Sequence, residues 1–493
     1  MNASAGFLEE ITMTNEAIGA LRARLAGDVV VPGDIDWDDA RQAWNLAVDQ
    51  RPAAVAIPET AEDVVAIVEF ARSHRLRVAP QGTGHAASPM GSLDGTVLVK
   101  TARMRGVEID PRRRRARVEA GVLWGEVSRA AAVHGLAALA GSSPDVGVVG
   151  YTLGGGIGWL GRRYGLASES VLAVELVTGD GEHLRADADH EPELFWALRG
   201  GGGSFGIVTA IEFALHPVSE VHAGILFWPL ERAGEVVRAW RAWVETVPVE
   251  ATSLARLLRL PPIPDIPEPL RGRSFVAVEA ALIMGDDDAG DLLRPLRELE
   301  PELDTFATIP VEQLSKLHMD PDHPVAGIGD GMLLADFPEE AVEAMLGAAG
   351  PASGSTLVSV EIRHLGGALA AVKRDHGALA SLDAAFAVFA VGSAMTPETV
   401  AATSADVAAV HRALARWDSG RSYLNFTERP EDGNRLFGSA AYRRLQRVKA
   451  AYDPDSVFRS NHPIPARFVT TARRRTRVAR PMRGIAAGPQ PRV

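Results

Sequence analysis

The chain changes its hydrophobic period within one early stretch, "PETAEDVVAIVEFARSHRLRVAPQGTGH". Val64, Ile67, Val68 and Ala71 recur at helical spacing, and Thr60 with Asp63 spells a capping box ahead of them. "LRVAP" then reads as a short strand that runs out into a glycine loop. Strand-like "TVLVKT" and "RARVEAG" follow, then a helix over "LWGEVSRAAAVHG". In "VLAVELVTGDGEHLRAD" the Gly-Asp-Gly turn predicts a hairpin between two strands. A helix "EPELFWALR", a glycine run and the strand "GIVTAIEFALHPV" close this unit near Pro217.

Beyond Pro217 the texture changes. Strand "AGILFWPL" leads into helix "AGEVVRAWRAWVETV", and the proline-rich "LPPIPDIPEPLRG" follows as a loop. "SFVAVEAALIMG", "STLVSVEIRHLG" and "DAAFAVFAVG" read as long strands separated by helices. The pattern predicts an α+β chain with a second domain over about residues 218–430.

At 493 residues the chain exceeds what one hydrophobic core serves. With 46% hydrophobic and 23% charged residues it reads as globular. The absence of cysteine excludes disulfides, thiolate metal sites and cysteine nucleophiles. The opening "MNASAGFLEEITMTNEAIGAL" carries acids where a signal peptide needs positive charge, and no run of about 18 apolar residues occurs, so a cytoplasmic protein without membrane contact is expected. The net charge of −12 hides a basic tail: residues 466–493 hold eight arginines and no acid, which leaves −20 on residues 1–465. Without aromatic interleaving, and beside an acidic body, the tail reads as disordered and solvated, and no nucleic-acid partner is expected.

Candidate chemistry concentrates in three glycine clusters, "QGTGH" at Gln81–His85, "VGVVGYTLGGGIGWLGRRYG" from Val146, and "LRGGGGSFG" from Leu198. By itself the first is a turn with His85 in solvent. The other two contain G-x-G-x-x-G, but Gly161 is followed by "RRYG" and Gly206 opens a strand, so neither has the strand-then-helix context of a nicotinamide site. No P-loop and no G-x-S-x-G elbow is present. Three such loops suit a long anionic ligand, because glycine lets backbone amides approach a pyrophosphate. "HMDPDHP" groups His318, Asp320, Asp322 and His323, but Pro321 prevents a helical alignment, and a solvated loop rather than a metal site is expected.

The combination P-x-G-x-G-H, then G-x-S-P-x-V-G-x-x-G-Y-x-L-G-G-G, then L-F-W-A-L-R-G-G-G-G-x-F-G-I-V-T, with "YLNF" at Tyr423–Phe426 and "LQRVKAAYDPDSVFRSNHPIP" from Leu445, resembles the berberine-bridge-enzyme-like flavoproteins of the vanillyl-alcohol-oxidase (PCMH-type) class. The resemblance spans about residues 45–466. It implies an FAD-binding domain over 1–217, a substrate domain over 218–430 built on an antiparallel sheet backed by helices, and a segment over 431–465 that returns to the FAD domain.

The resemblance also implies that His85 bonds to the 8α-methyl of the flavin and that Gln81, Gly82, Thr83 and Gly84 cradle the pyrophosphate. Many relatives attach the flavin a second time through a cysteine, and Ser143 stands at that position, so a single link is expected. Val146, Gly147, Gly150, Tyr151, Gly154 and Gly155 would line the ring and phosphates, Ile207 and Val208 would lie by the adenine, and Tyr423 and Asn425 would reach the flavin from the far domain. Several relatives use a tyrosine as base at the last position of Y-x-N-Y, where this chain has Phe426.

The proton acceptor must then come from elsewhere. In "STLVSVEIRHLGG", Val358, Val360 and Ile362 share one strand face while Ser359, Glu361 and Arg363 share the other. In the architecture that the resemblance implies, the polar face overlooks the flavin; a solvent-exposed edge with a cross-strand charge pair is the alternative. Glu361 is the candidate base, with Arg363 as substrate anchor or counter-charge and Tyr423 as the other candidate. The expected activity is that of an FAD-dependent oxidase that moves a hydride from a small organic substrate to flavin and electrons on to molecular oxygen. A dehydrogenase of the same fold and a flavin-binding protein without turnover are the rivals.

Overall fold

The computed structural model describes residues 14–468. The basic tail expected beyond Ala466 therefore lies almost wholly outside the described residues. Three sheets organise the chain.

The first contains β1 (Asp28–Val30), β2 (Ala54–Ile57), β3 (Arg77–Gln81) and β4 (Thr96–Lys100), in the order β1-β2-β4-β3. β2 and β3 both run parallel to β4. The helix Ala61–Ser73 makes the crossover from β2 to β3, which lie on either side of β4. Its apolar stripe of Val64, Ile67, Val68 and Ala71 packs on Val78, Val97 and Val99. The predicted cap is half realised: Thr60 Oγ1 accepts from the Asp63 amide at 3.1 Å. The Asp63 carboxylate turns instead to the amides of Ala26, Gly27 and Glu59, tying the chain start to the helix.

The second sheet is antiparallel. It contains β5 (Val107–Asp110), β6 (Arg115–Glu119), β7 (Val171–Val177), β8 (His183–Asp187) and β9 (Ile207–Ala214), in the order β5-β6-β9-β7-β8. The Gly-Asp-Gly hairpin forms as read, with Val177 opposite His183 and Gly181 at φ +87°. Trp124, Phe195 and Phe213 centre its core, and the helix Ser439–Tyr452 adds Leu445 and Val448 to that core.

The third sheet has eight antiparallel strands: β10 (Glu220–Pro229), β11 (Ala251–Arg259), β12 (Ser274–Leu282), β13 (Leu303–Asp304), β14 (Ala307–Pro310), β15 (Gly327–Leu334), β16 (Ser359–His364) and β17 (Phe386–Ser393). The order is β13-β10-β12-β11-β16-β17-β15, with β14 also on β10. One face carries Val278, Leu257, Val360, Ile362 and Val388 against Trp240, Leu293, Met345 and Val410 of four covering helices. The opposite face packs on the glycine-rich segment instead: Leu254 and Ala281 meet Leu139 and Trp159, while Leu333 and Ala387 meet Ile157 and Tyr423. Four strands of this sheet escape the sequence reading, the short β13 and β14 among them. β11 is interrupted by arginines, and "GIGDGMLL" of β15 is glycine-rich. β15 needs those glycines, since a Cβ at Gly329 or Gly331 would come within 2.7 Å of Phe389 or Phe426.

Among the described residues no helix is long and apolar enough to cross a membrane. The architecture is α+β throughout.

Candidate active site

β3 delivers the first glycine loop at its C-terminal end. Gly84 sits at φ +94°, and a Cβ there would meet Ala43 at 3.0 Å, so the turn requires glycine. The turn lifts His85 off the sheet. Its ring stacks on Trp44 with centroids 4.0 Å apart, and Nδ1 lies 2.7 Å from Thr83 Oγ1. Nε2 lies 3.6 Å from Asp145 Oδ1 and has no hydrogen-bond partner. Asp145 accepts hydrogen bonds from Trp44 Nε1 at 2.5 Å and from Ser143 Oγ at 2.7 Å. Ser143 thus stands beside the histidine loop as expected, but as a hydroxyl donor. Trp44 and Asp145 were missed by the sequence reading. Asp145 lay inside a recognised motif, and only the fold brings it to His85.

The second cluster forms a floor. The helix Val148–Leu153 follows Gly147, and Val146 accepts from the Trp124 amide at 3.0 Å. Gly155 and Gly156 take φ +115° and +82°. A Cβ on Gly154 would fall 1.8 Å from Asn425 Oδ1, and one on Gly155 would fall 3.2 Å from the Tyr423 ring. Asn425 Nδ2 donates to the Tyr151 carbonyl at 2.9 Å and to Tyr423 Oη at 3.1 Å. The same Oη accepts from the amides of Gly156 at 2.9 Å and Ile157 at 3.1 Å. Tyr423 and Asn425 are therefore seated directly on the floor. Burial nonetheless pushes the Tyr423 phenol above its ordinary range, against those donors, and it stays neutral. Ile207 and Val208 behave differently: their side chains are buried in two separate cores, which leaves only backbone for an adenine contact.

Above the floor, the unbacked face of the third sheet carries a buried row of alternating charge. Arg256 Nη1 donates to Glu279 Oε1 at 2.8 Å. His318 Nδ1 lies 2.7 Å from Glu279 Oε2, and its Nε2 lies 2.9 Å from Glu361 Oε2. Arg363 grips Glu361 with Nε at 2.7 Å and Nη2 at 3.1 Å. β16 lies between β11 and β17, so its polar face is interior and not a solvent-exposed edge. Glu361 is 3% exposed. Burial would raise its carboxyl, but Arg363 and His318 overcome burial and hold it well below the usual carboxylate range. The rise toward neutrality that would suit a base is therefore absent. His318 corrects the reading of "HMDPDHP" as a solvated loop. Asp322 and His323 are exposed, whereas His318 is buried. Burial and Arg256 lower its pKa, but Glu279, Asp320 and Glu361 prevail and raise it to about 9, so it is a cation. Among the described residues no acid and histidine group is suited to a metal ion.

Arg363 joins the two halves. Its Cζ lies 5.3 Å from the Phe426 ring centroid, and Phe426 lies 5.2 Å from Tyr423. One further titratable group sits at the edge. Glu428 accepts from Ser88 Oγ at 3.2 Å and its amide binds Asp330 Oδ1 at 3.1 Å. Burial pushes its carboxyl up to about 7.

The residues fit an FAD. Gln81 Oε1 and Tyr151 Oη are buried without a hydrogen-bond partner, an uncommon condition that a ligand relieves. A Cβ at Gly82, Gly150 or Gly203 would meet nothing within 4 Å, so these three backbones border open space.

Comparison with known proteins agrees. The model of an FAD binding domain matches residues 52–187, and that of berberine and berberine-like proteins matches residues 422–465. The (R)-6-hydroxynicotine oxidase of Paenarthrobacter nicotinovorans is 36% identical over 205 residues, 41% of this chain and 45% of that protein. The match thus spans less than half of the relative. An uncharacterized FAD-linked oxidoreductase of Bacillus subtilis is 28% identical across 90% of this chain and 98% of its own. The BBE-like 1 protein of Physcomitrella patens, in a variant form, superposes with a TM-score of 0.81 at 21% identity, over 92% of this chain and 100% of that one. The 6-hydroxy-D-nicotine oxidase of Arthrobacter nicotinovorans superposes at 0.78 with 26% identity, over 89% and 98%. With its glycine floor, histidine loop and Y-x-N segment all assembled on this fold, the chain carries an FAD-binding domain and a berberine-like segment and is similar to the berberine-bridge-enzyme-like FAD-linked oxidoreductases.

Proposed function

We propose that the protein is an oxidase of a small organic substrate, with FAD attached through His85 alone and dioxygen as electron acceptor. FAD, when bound, supplies a hydride acceptor and a two-electron donor to dioxygen. The chain supplies attachment, orientation and a place for the substrate proton. Val146 supports the oxygen reading: in the proteins that this chain resembles, the residue three after the cysteine position controls a small pocket beside the flavin ring, and Val146 is a small occupant of it. An oxidase among the relatives agrees with it.

The observation that carries the proposal is the buried Glu361–Arg363 pair on the sheet face above the glycine floor. Glu361 is held as a carboxylate by Arg363 and His318 and accepts a proton only as that grip loosens, so its low basicity costs rate. Arg363 commits Nε and Nη2 to Glu361, which leaves Nη1 for an anionic or carbonyl oxygen of the substrate. When the guanidinium turns to that oxygen, Glu361 loses part of its counter-charge and becomes a stronger base at the moment it is needed. Tyr423, neutral and fixed by three donors, orients the site.

Anaerobic screening of organic compounds for bleaching of the yellow protein tests the proposal. Bleaching by one compound class, followed by recolouring and hydrogen peroxide in air, is the expected result. Recolouring only with a quinone makes the protein a dehydrogenase. Phe426, which cannot take a proton, favours a flavin-binding protein without turnover as the second reading, and that reading prevails if no compound bleaches the flavin.

A further inference from the structure

The segment "SSPDVG" places Asp145 among Trp44, Ser143 and His85, where the covalent-flavin reading gives it no role. Its Oδ2 accepts from Trp44 Nε1, its Oδ1 accepts from Ser143 Oγ, and the same Oδ1 faces His85 Nε2 at 3.6 Å. Trp44 holds the imidazole from the other side by stacking, at an interplanar angle of 20°. The ring therefore has a fixed plane and a fixed end. Its Nε2 end meets a carboxylate, and its Nδ1 end meets only the rotatable hydroxyl of Thr83.

Resting on the reading that His85 carries the flavin, we propose that Asp145 is the positioning residue for covalent attachment, holding Nε2 as the N–H end of the ring so that Nδ1 offers its lone pair to the 8α carbon. The logic is that of an aspartate orienting a catalytic histidine: it selects the tautomer and stabilises the cation that forms when the other nitrogen reacts. The C–N bond forms at Nδ1 while one methyl C–H bond and the Nε2–H bond break. The electron pair of the C–H bond remains in the flavin ring. Dioxygen then takes that pair with two protons and leaves as hydrogen peroxide, so the attached flavin ends oxidised.

Asp145 is suited to this. Burial pushes its carboxyl up, but His85, Ser143 and Trp44 bring it below the ordinary range, so it is an anion. The hydroxyl of Ser143 contributes a hydrogen bond where a second thioether would otherwise stand.

The test follows attachment and not turnover. Full-length protein is incubated with FAD in air and acid-precipitated at intervals, and flavin is measured in pellet and supernatant. We expect Asp145→Asn to bind FAD but to attach it at least tenfold more slowly than wild type. Raising the pH should recover part of that rate, because solution base then removes the Nε2 proton. Asp145→Glu, which keeps the charge, should restore attachment to within tenfold of wild type. A role in packing alone would not move with pH or be rescued by glutamate. Attachment by Asp145→Asn at the wild-type rate overturns the role of Asp145 while leaving the His85 link intact. So does an Asp145→Glu protein that binds FAD but leaves it all in the supernatant. A colourless wild-type pellet removes the link itself, and the proposal with it.

Discussion

His318 Nε2 and Glu361 Oε2 lie 2.9 Å apart in the interior, between a loop and a strand separated by some forty residues of chain. The same imidazole serves Glu279 through Nδ1, so one ring bridges two buried carboxylates, each of which also has its own arginine. Isolated buried charge is costly, and removing one member of such a set leaves its partner uncompensated, at about 3–5 kcal/mol. The row Arg256–Glu279–His318–Glu361–Arg363 alternates in sign, and Asp320, 3.8 Å from His318 Nε2, brings the group to balance.

The first prediction is a stability loss at alkaline pH. His318 has its pKa raised to about 9, so its stabilising charge is fully present below the ordinary histidine value near 6.5 and is lost as pH rises through 9. The melting temperature of wild type should fall between about pH 7 and 9.5. His318→Gln should start lower and lack this part of the slope. Parallel melting curves for the two proteins would remove the argument.

A second prediction concerns the proton acceptor. Glu361→Gln should keep its flavin but melt lower than wild type, since its single amide oxygen still receives Arg363 Nε while the charge is lost, and substrate-driven bleaching should slow by about 10²-fold or more. Tyr423→Phe should cost less, because the phenol is neutral. Stopped-flow bleaching of both variants decides; a normal rate in Glu361→Gln with a slow Tyr423→Phe would reverse the roles.

Attachment gives the third. Acid-precipitated wild type should stay yellow, whereas His85→Ala should release its FAD to the supernatant. With no cysteine in the chain, no second link can retain it. Colour left in the variant pellet would point to a different attachment residue.

Reoxidation gives the fourth. Photoreduced protein mixed with air-saturated buffer should recolour within seconds and release hydrogen peroxide. Val146→Leu, with a bulkier side chain, should lengthen that time by an order of magnitude or more without preventing recolouring by a quinone. Equal oxygen rates in the two proteins would argue against control at this position.

Glu428 gives the fifth. Its carboxyl is raised to about 7 by burial, so the folded protein prefers it protonated, and stability contributed by that proton is lost as pH rises from about 4.5 through 7. Glu428→Gln keeps the hydrogen-bonding shape without the charge and should melt higher than wild type at pH 8. A lower melting temperature there would mean that the carboxylate has a partner worth more than its burial.

Much of the fold was legible because it is written in local periods. The helix Ala61–Ser73, the β7–β8 hairpin and the apolar face of β16 follow from spacing 3.6, a Gly-Asp-Gly turn and spacing 2. β15 was not legible, because its glycines answer to Phe389 and Phe426, which are distant in sequence. The same holds in the site. Gln81, the glycines and His85 stand in one loop and could be assigned together, and Tyr423 with Asn425 came with their motif.

The sequence by itself determined the α+β architecture, the likeness to FAD-linked oxidoreductases and the absence of any thiol chemistry, because each depends on residue identity and short-range order. Only the tertiary structure decided the electrostatics. Whether Glu361 is raised by burial or lowered by its neighbours depends on His318 arriving from a loop that reads as solvated and on Arg363 closing from the next turn of the pleat. Likewise Trp44 and Asp145 meet His85 only because β3, the Ser143 turn and the chain before β2 converge. Coulomb interactions act over a few ångströms of space, whatever the separation along the chain, and that distance is set by folding.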